Sequence, residues 1–298
     1  MELRDIALRV GVFVAIVLVA ALITGVGTLP NAGGQTNQST PLTVDSHQPE
    51  TILATPPAER GDVAVDSTTT DKTIVIDQSH NNSVSPDAIS PFVQRLVADG
   101  HSVQFYTDAI ARNHSLNTTL EDADAFVVVA PEDQYGPDER AYVAEFAENG
   151  GRVLLVNEPE RQSADETNTS ATPLTNLAST FGFGFGSGYL FDQTQYNTNH
   201  RDIYAYPAGD GPLSDGVNRL TLHAARPVTG GEPAYTTNET TELSETRRAQ
   251  SYTVLARQNN VVALGDRSLL GQEYVYTDDN EVLVGNVIEF LVSGNRSG

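Results

Sequence analysis

The run Thr73–Pro86, TIVIDQSHNNSVSP, sets Asp77, Ser79 and His80 side by side after a β-like stretch. An acid, a hydroxyl and an imidazole are the parts of a nucleophilic triad or a general acid–base pair. Other apolar runs end in the same way. Glu132 and Asp133 follow DAFVVVAP, Asn157 and Glu158 follow RVLLV, and Asp266, Arg267 and Ser268 follow VVALG, with Asp279 and Asn280 shortly beyond. Ligands of an open α/β sheet sit outside the carboxyl ends of its strands. Asp77, His80, Glu132, Asn157, Glu158, Asp266, Ser268, Asp279 and Asn280 are therefore candidate ligand contacts. Strand-end Asp, Asn and Ser also cap helices and hold turns, so each has a competing structural role.

Several chemistries can be weighed. The chain has no Cys, which removes thiolate nucleophiles, disulfides and thiolate metal sites. Ser79, His80 and Asp266 are the types of a hydrolytic triad, but neighbouring Ser and His reach a triad geometry with difficulty and no G-x-S-x-G elbow is present. Asp77, Glu132, Glu158 and Asp266 are hard oxygen donors that suit Ca²⁺ or Mg²⁺, although no EF-hand loop occurs. A paired-carboxylate glycosidase requires a defined separation of two acids. His114, His200 and His223 stand apart and read as surface or satisfied core residues. Tyr189, Tyr196, Tyr204 and Tyr206 read as strand packing ahead of sugar stacking. No catalytic residue is assigned and no cofactor is expected.

The elements that would carry these groups alternate. TIVID, HSVQFY, DAFVVVA and RVLLV are short apolar strands, the third without polar alternation, as in a parallel sheet buried on both faces. Between them lie helical patterns. In SPDAISPFVQRLVADG, Ser85 can cap, Pro86 suits the first turn, Phe92, Leu96 and Val97 share a face, and Gly100 ends the helix. PDERAYVAEFAENGG turns Tyr142, Val143 and Phe146 inward, and TPLTNLASTFG repeats the pattern. Two later strands flank Asn259-Asn260, a hairpin signal. NEVLVGNVIEFLVSG sets Leu283, Val287, Phe290 and Leu291 on one helix face. The expectation is an α/β domain over 72–298: a flavodoxin-like, doubly wound, mainly parallel sheet, with 183–250 left unplaced.

Val10–Leu29 is uncharged and long enough for one bilayer crossing. Arg4 and Arg9 precede it, and no Lys or Arg follows until Arg60. The positive-inside bias puts residues 1–9 in the cytoplasm, 10–29 in the membrane and the main domain outside the cell. The length of the apolar run favours an uncleaved anchor over a signal peptide. Residues 30–71 are polar, contain no aromatic and read as a disordered stalk. Net charge is −22, from 39 acids against 17 basic residues. That excludes nucleic acid as a partner and resembles the acidic surface of a salt-adapted protein. Seven sequons, at Asn37, Asn81, Asn113, Asn117, Asn168, Asn238 and Asn295, fit an external glycoprotein.

DQSH at 77–80, ADGHSV, ADAFVVVAP, FAENGGRVLLV and the closing VVALGDRSLLG…DDNEVLVGNVIEFL resemble a family of class I glutamine-amidotransferase-like domains of unknown function, membrane-anchored and of haloarchaeal type. The likeness covers 73–158 and 250–294 and rests most on Gly265, Asp266, Asp279 and Asn280, then on DQSH. It implies a flavodoxin-like extracytoplasmic domain, with membrane-associated AAA ATPase and von Willebrand-like modules as partners. Amidotransferase chemistry needs a Cys on a strand-to-helix turn. Ala130-Pro131-Glu132 and Asn157-Glu158-Pro159 offer no nucleophile at those turns. The leading expectation is a non-catalytic domain that binds a ligand, a glycan or a partner protein. The alternatives are a metal-dependent hydrolase using strand-end carboxylates and a structural scaffold of a membrane assembly system.

Overall fold

Strands buried on both faces need apolar residues at every position, and the first half of the domain supplies them. A computed structural model describes residues 61–82, 84–159 and 172–294. The anchor segment 10–29, most of the stalk, and Asn37, Asn168 and Asn295 lie outside the described residues. Among the described residues no helix is long and apolar enough to cross a membrane.

The chain runs through β1 (Thr73–Gln78), a 3₁₀ turn (Pro86–Ile89), α1 (Ser90–Ala98), β2 (Ser102–Thr107), α2 (Asp108–Ala111), α3 (Leu116–Glu121), β3 (Ala125–Val129), α4 (Pro137–Glu148), β4 (Arg152–Val156) and α5 (Leu174–Thr180). It continues with β5 (Gly184–Phe185), β6 (Leu190–Phe191), β7 (Asp202–Pro207), β8 (Leu220–His223), β9 (Val228–Thr229), β10 (Glu232–Thr237), β11 (Glu242–Leu243), β12 (Thr253–Gln258), β13 (Val261–Leu264), a second 3₁₀ turn (Ser268–Leu270) and α6 (Asn280–Val292).

Nine of the strands form one sheet in the order β2-β1-β3-β4-β13-β12-β10-β7-β8. The first five are parallel, in the order of a doubly wound fold. The last four pair antiparallel. The sheet is thus mixed, four parallel pairings against four antiparallel, and not mainly parallel. Three strands of the antiparallel half, β7, β8 and β10, come from the region that sequence periodicity left unplaced, while β12 belongs to the expected hairpin.

Alternation along each strand divides the core. Ile74, Ile76, Val127, Leu154 and Val156 face α1 and α6. Val75, Phe126, Val128, Val153 and Leu155 face α3, α4 and α5. The expected hairpin forms, with Asn259 at φ 53°. Two local expectations are corrected. Ser85 is extended and its side chain makes no cap bond, because Pro86 opens a 3₁₀ turn ahead of α1. Val97 is 56 % exposed, on the outer side of the helix that buries Phe92 and Leu96.

The folded part also begins earlier than residue 72. Val63 is 2 % exposed within the first core, so the stalk boundary at 71 moves inward. A Cβ on Gly285 of α6 would lie 2.0 Å from the Ala64 carbonyl oxygen. Gly285→Val is expected to cost about 1–3 kcal/mol through overpacking. It should also open the segment 61–71 to limited proteolysis; unchanged protection would contradict this packing.

Candidate functional site

The strand-end residues separate into two clusters. The first closes the end of β1. Asp77 is fully buried and His80 is 5 % exposed. The His80 ring nitrogen Nδ1 lies 3.0 Å from both Asp77 carboxylate oxygens. Tyr135 donates its hydroxyl to Asp77 Oδ2 at 2.6 Å and stacks on the imidazole, ring centroids 3.8 Å apart. His80 Nε2 lies 3.4 Å from Glu139 Oε2. Glu139 in turn accepts the Gly136 N–H at 2.7 Å, at the start of α4.

Burial disfavours the His80 cation, but Asp77 and Glu139 outweigh it and lift the pKa to about 9. Burial would raise Asp77, yet the bonds from His80 and Tyr135 leave it below the usual carboxylate range. The pairing with His80 lowers Glu139. Both ring nitrogens of His80 face acids, so the imidazole and Asp77 are sealed within an ion network whose outer acid, Glu139, is partly exposed. Ser79 donates its backbone N–H and hydroxyl to Asp77 Oδ1 at 3.2 and 3.1 Å, which makes it a turn residue. Its hydroxyl also lies 3.2 Å from His80 Nδ1, which Asp77 holds closer. No Ser79–His80–Asp266 triad forms, because Asp266 belongs to the other cluster. Glu132 is exposed, and its backbone N–H bonds to the His80 carbonyl. The Asn81 sequon is exposed and its amide donates to Glu132 Oε2 at 3.1 Å. Asn113 and Asn117 are exposed, while Asn238 is partly covered and donates to Gln195.

The second cluster lines a cavity of about 730 Å³ beyond the ends of β4, β13 and β8. Its walls include Glu158, Tyr189, Arg201, His223, Ser268 and Tyr274. Asp202 starts β7 and pairs directly with His223, the last residue of β8, in the antiparallel register. Asp202 Oδ1 lies 2.7 Å from His223 Nδ1 and accepts the Tyr274 hydroxyl at 2.9 Å. The bond from Asp202 raises the His223 pKa. Asp266 is fully buried and accepts the N–H groups of His223 and Ser268, each at 2.7 Å, and the Ser268 hydroxyl at 2.6 Å. Glu158 is pushed up to about 7, first by burial and then by Asp266. Arg267 Nε lies 3.3 Å from Glu158 Oε2 without the alignment of a hydrogen bond.

Of the remaining candidates, Asn157 is buried behind the wall and accepts the Glu158 N–H at 2.8 Å. Asp279 accepts the backbone of Asn218 and Arg219 and does not line the cavity. Asn280 is fully buried and ties Thr221 to Tyr274. Sequence reasoning thus missed Asp202, His223, Tyr274, Arg201 and Tyr189 as partners of one site. Asp202 and His223 meet only through the β7–β8 register, which no local motif announces. Among the described residues, no three His, Cys, Asp or Glu side chains come together so as to hold a metal ion.

One backbone feature bears on the expected amidotransferase turn. Ala130, directly after β3, is buried with φ 44°. A strand-to-helix turn of this kind is where a nucleophile elbow is strained. Here the position carries a methyl group.

No family model and no curated protein sequence matches the chain. Among solved structures, the chain is similar to the mmIFT52 N-terminal domain, with a TM-score of 0.59 at 13 % identity, covering 75 % of this chain and 99 % of that one. A putative thua-like protein from Parabacteroides merdae matches at TM-score 0.47 and 11 % identity, over 77 % of this chain and 92 % of that one. At this identity the first likeness establishes a shared α/β fold.

Proposed function

We propose that this chain is a membrane-anchored, extracytoplasmic, amidotransferase-like domain that captures a small polar ligand in the cavity between Glu158, His223 and Tyr274. The cavity carries the reading. It joins carboxyl, guanidinium, imidazole and phenol groups from one strand end and several adjoining loops at the carboxyl edge of the parallel strands. The anchor rests on the uncharged segment 10–29 and the arginines before it. The amidotransferase likeness rests on the DQSH and GD…DN sequences and on the strand order of the parallel half. Ala130 at the strained turn, and the absence of any Cys, leave glutamine hydrolysis without its nucleophile.

The ligand is hydroxylated or zwitterionic, because acids and cations share the walls. Arg201 stacks on Tyr189 at 4.5 Å and donates to its hydroxyl at 3.3 Å, which leaves the guanidinium edge for a ligand. The test is a thermal-shift screen of the full-length protein in molar salt. The panel holds polyols, mono- and disaccharides, amino acids and small organic acids. At least one compound should raise the melting temperature, as mass action requires of a ligand bound only by the native state. Arg201→Ala should weaken that response about tenfold in affinity, worth about 1.4 kcal/mol. A panel without a responder, or a response unchanged by Arg201→Ala, contradicts the assignment.

A further inference from the structure

Three features of the cavity wall point past binding. First, His223 is held through Nδ1 by Asp202, so the neutral ring keeps its proton there and offers the Nε2 lone pair. Second, Nε2 has no partner among the described residues; the side chain is 37 % exposed and forms part of the cavity wall. Third, Ala224, the next residue, is held at φ 51° and also lines the cavity. A non-glycine residue in this region is strained, and such strain persists where the surrounding structure fixes it. Here the Ala224 N–H bonds to the Arg201 carbonyl at 2.7 Å, and the His223 N–H bonds to Asp266. The imidazole is therefore anchored by its backbone, by its ring and by its neighbour. Glu158 stands in the same wall, and its carboxyl stays protonated further into the neutral range than an ordinary glutamate.

We propose that this cavity hydrolyses a carboxylic ester of a hydroxyl-rich compound, with His223 as general base, Glu158 as general acid and Asp202 as the positioning residue. The proposal rests on the binding reading and goes beyond it. Water is the nucleophile, because the Ser268 hydroxyl is committed to Asp266. His223 Nε2 takes a proton from water as its oxygen bonds to the ester carbonyl carbon. The Arg267 guanidinium faces the charge that develops on the carbonyl oxygen. As the intermediate collapses, the carbon–oxygen bond to the alcohol breaks and the Glu158 carboxyl proton passes to the leaving oxygen. The products are an acid and an alcohol. The imidazolium proton returns to the Glu158 carboxylate through water, which restores both groups. An ester suits this arrangement because an alkoxide leaves readily once protonated, and one acid and one base suffice.

The test uses full-length protein in molar salt, with glyceryl triacetate as an alkyl ester and p-nitrophenyl acetate as an aryl ester. The alkoxide of the first needs the acid proton, whereas p-nitrophenolate leaves without it. The wild type should hydrolyse both above buffer, and His223→Ala should lower both about 100-fold. Glu158→Gln should lower the ratio of alkyl to aryl rates at least tenfold. Asp202→Asn should lower kcat with KM little changed, which a purely structural role would not produce. Wild-type rates equal to those of His223→Ala overturn the proposal, as does an unchanged alkyl-to-aryl ratio in Glu158→Gln. If the thermal-shift panel has a responder and no ester is cleaved, this inference fails while the binding reading stands.

Discussion

His80→Ala is expected to lower the unfolding free energy by about 3–5 kcal/mol near pH 6. The side chain is almost fully buried between Asp77 and Glu139, and its removal strands a fully buried carboxylate. Tyr135 and Ser79 would still donate to Asp77, but no cation would remain beside it. Domains of ordinary stability have about 5–15 kcal/mol to lose, so the variant should sit near its unfolding threshold.

The pH dependence of this loss has a defined sign. The folded pKa of His80 is raised to about 9 from 6.5, so its contribution is complete below 6.5 and fades as pH rises through 9. Asp77 and Glu139 are lowered from 3.8 and 4.5, so their contributions hold above those values and fade as pH falls. The difference between wild type and His80→Ala should therefore be largest at about pH 5–6.5 and shrink toward pH 10. Paired denaturant melts across that range check it. A difference that grows with pH would show that His80 is buried neutral.

Asn280→Ala is the second large effect, with an expected loss of about 2–4 kcal/mol, the sum of several desolvated groups. Asn280 accepts the Thr221 N–H at 3.0 Å and donates to the carbonyls of Thr221 and Tyr274, each at 2.8 Å. The alanine leaves all three without that partner in a site with no solvent access. The change should reach the cavity as well, because Tyr274 donates to Asp202 and Asp202 holds His223. Asn280→Ala should weaken any thermal-shift responder even though the side chain is not part of the cavity wall. Asn280→Asp sets a buried carboxylate against the Thr221 and Tyr274 carbonyl oxygens with no cation beside it, so at neutral pH it should destabilise at least as much as alanine. Equal stability of all three proteins would contradict this account.

The parallel half was legible because its inner strands are buried on both faces and its longer helices carry one apolar stripe each. β1, β3 and β4 could be read as apolar runs, and α6 kept Leu283, Val287, Phe290 and Leu291 inward as its spacing required. Of the antiparallel half only β12, in the Asn259-Asn260 hairpin, was legible. β7 and β10 interleave tyrosine with alanine and threonine, β8 is four residues long, and β5, β6, β9 and β11, which form two separate pairs, are two residues long. Their existence depends on partners distant in the chain. The site followed the same division. Glu158, Asp266 and Ser268 were visible as strand-end polar groups, but DQSH, the most suggestive sequence, closes on itself into a buried ion network. His223 looked isolated because its carboxylate, Asp202, lies 21 residues away across a hairpin. Sequence also pooled both clusters into one cleft, and burial separates them: Asp77 and His80 are sealed, while Glu158 and His223 meet the cavity.

The most direct test of the binding account is a crystal structure of the protein grown in molar salt with the thermal-shift panel as a cocktail. The account predicts ligand density in contact with Glu158, Arg201 and His223, with the His80 network unchanged and empty of ligand. Density confined to the loop around His80, or a cavity holding only water and salt in a crystal that admits the cocktail, would contradict it.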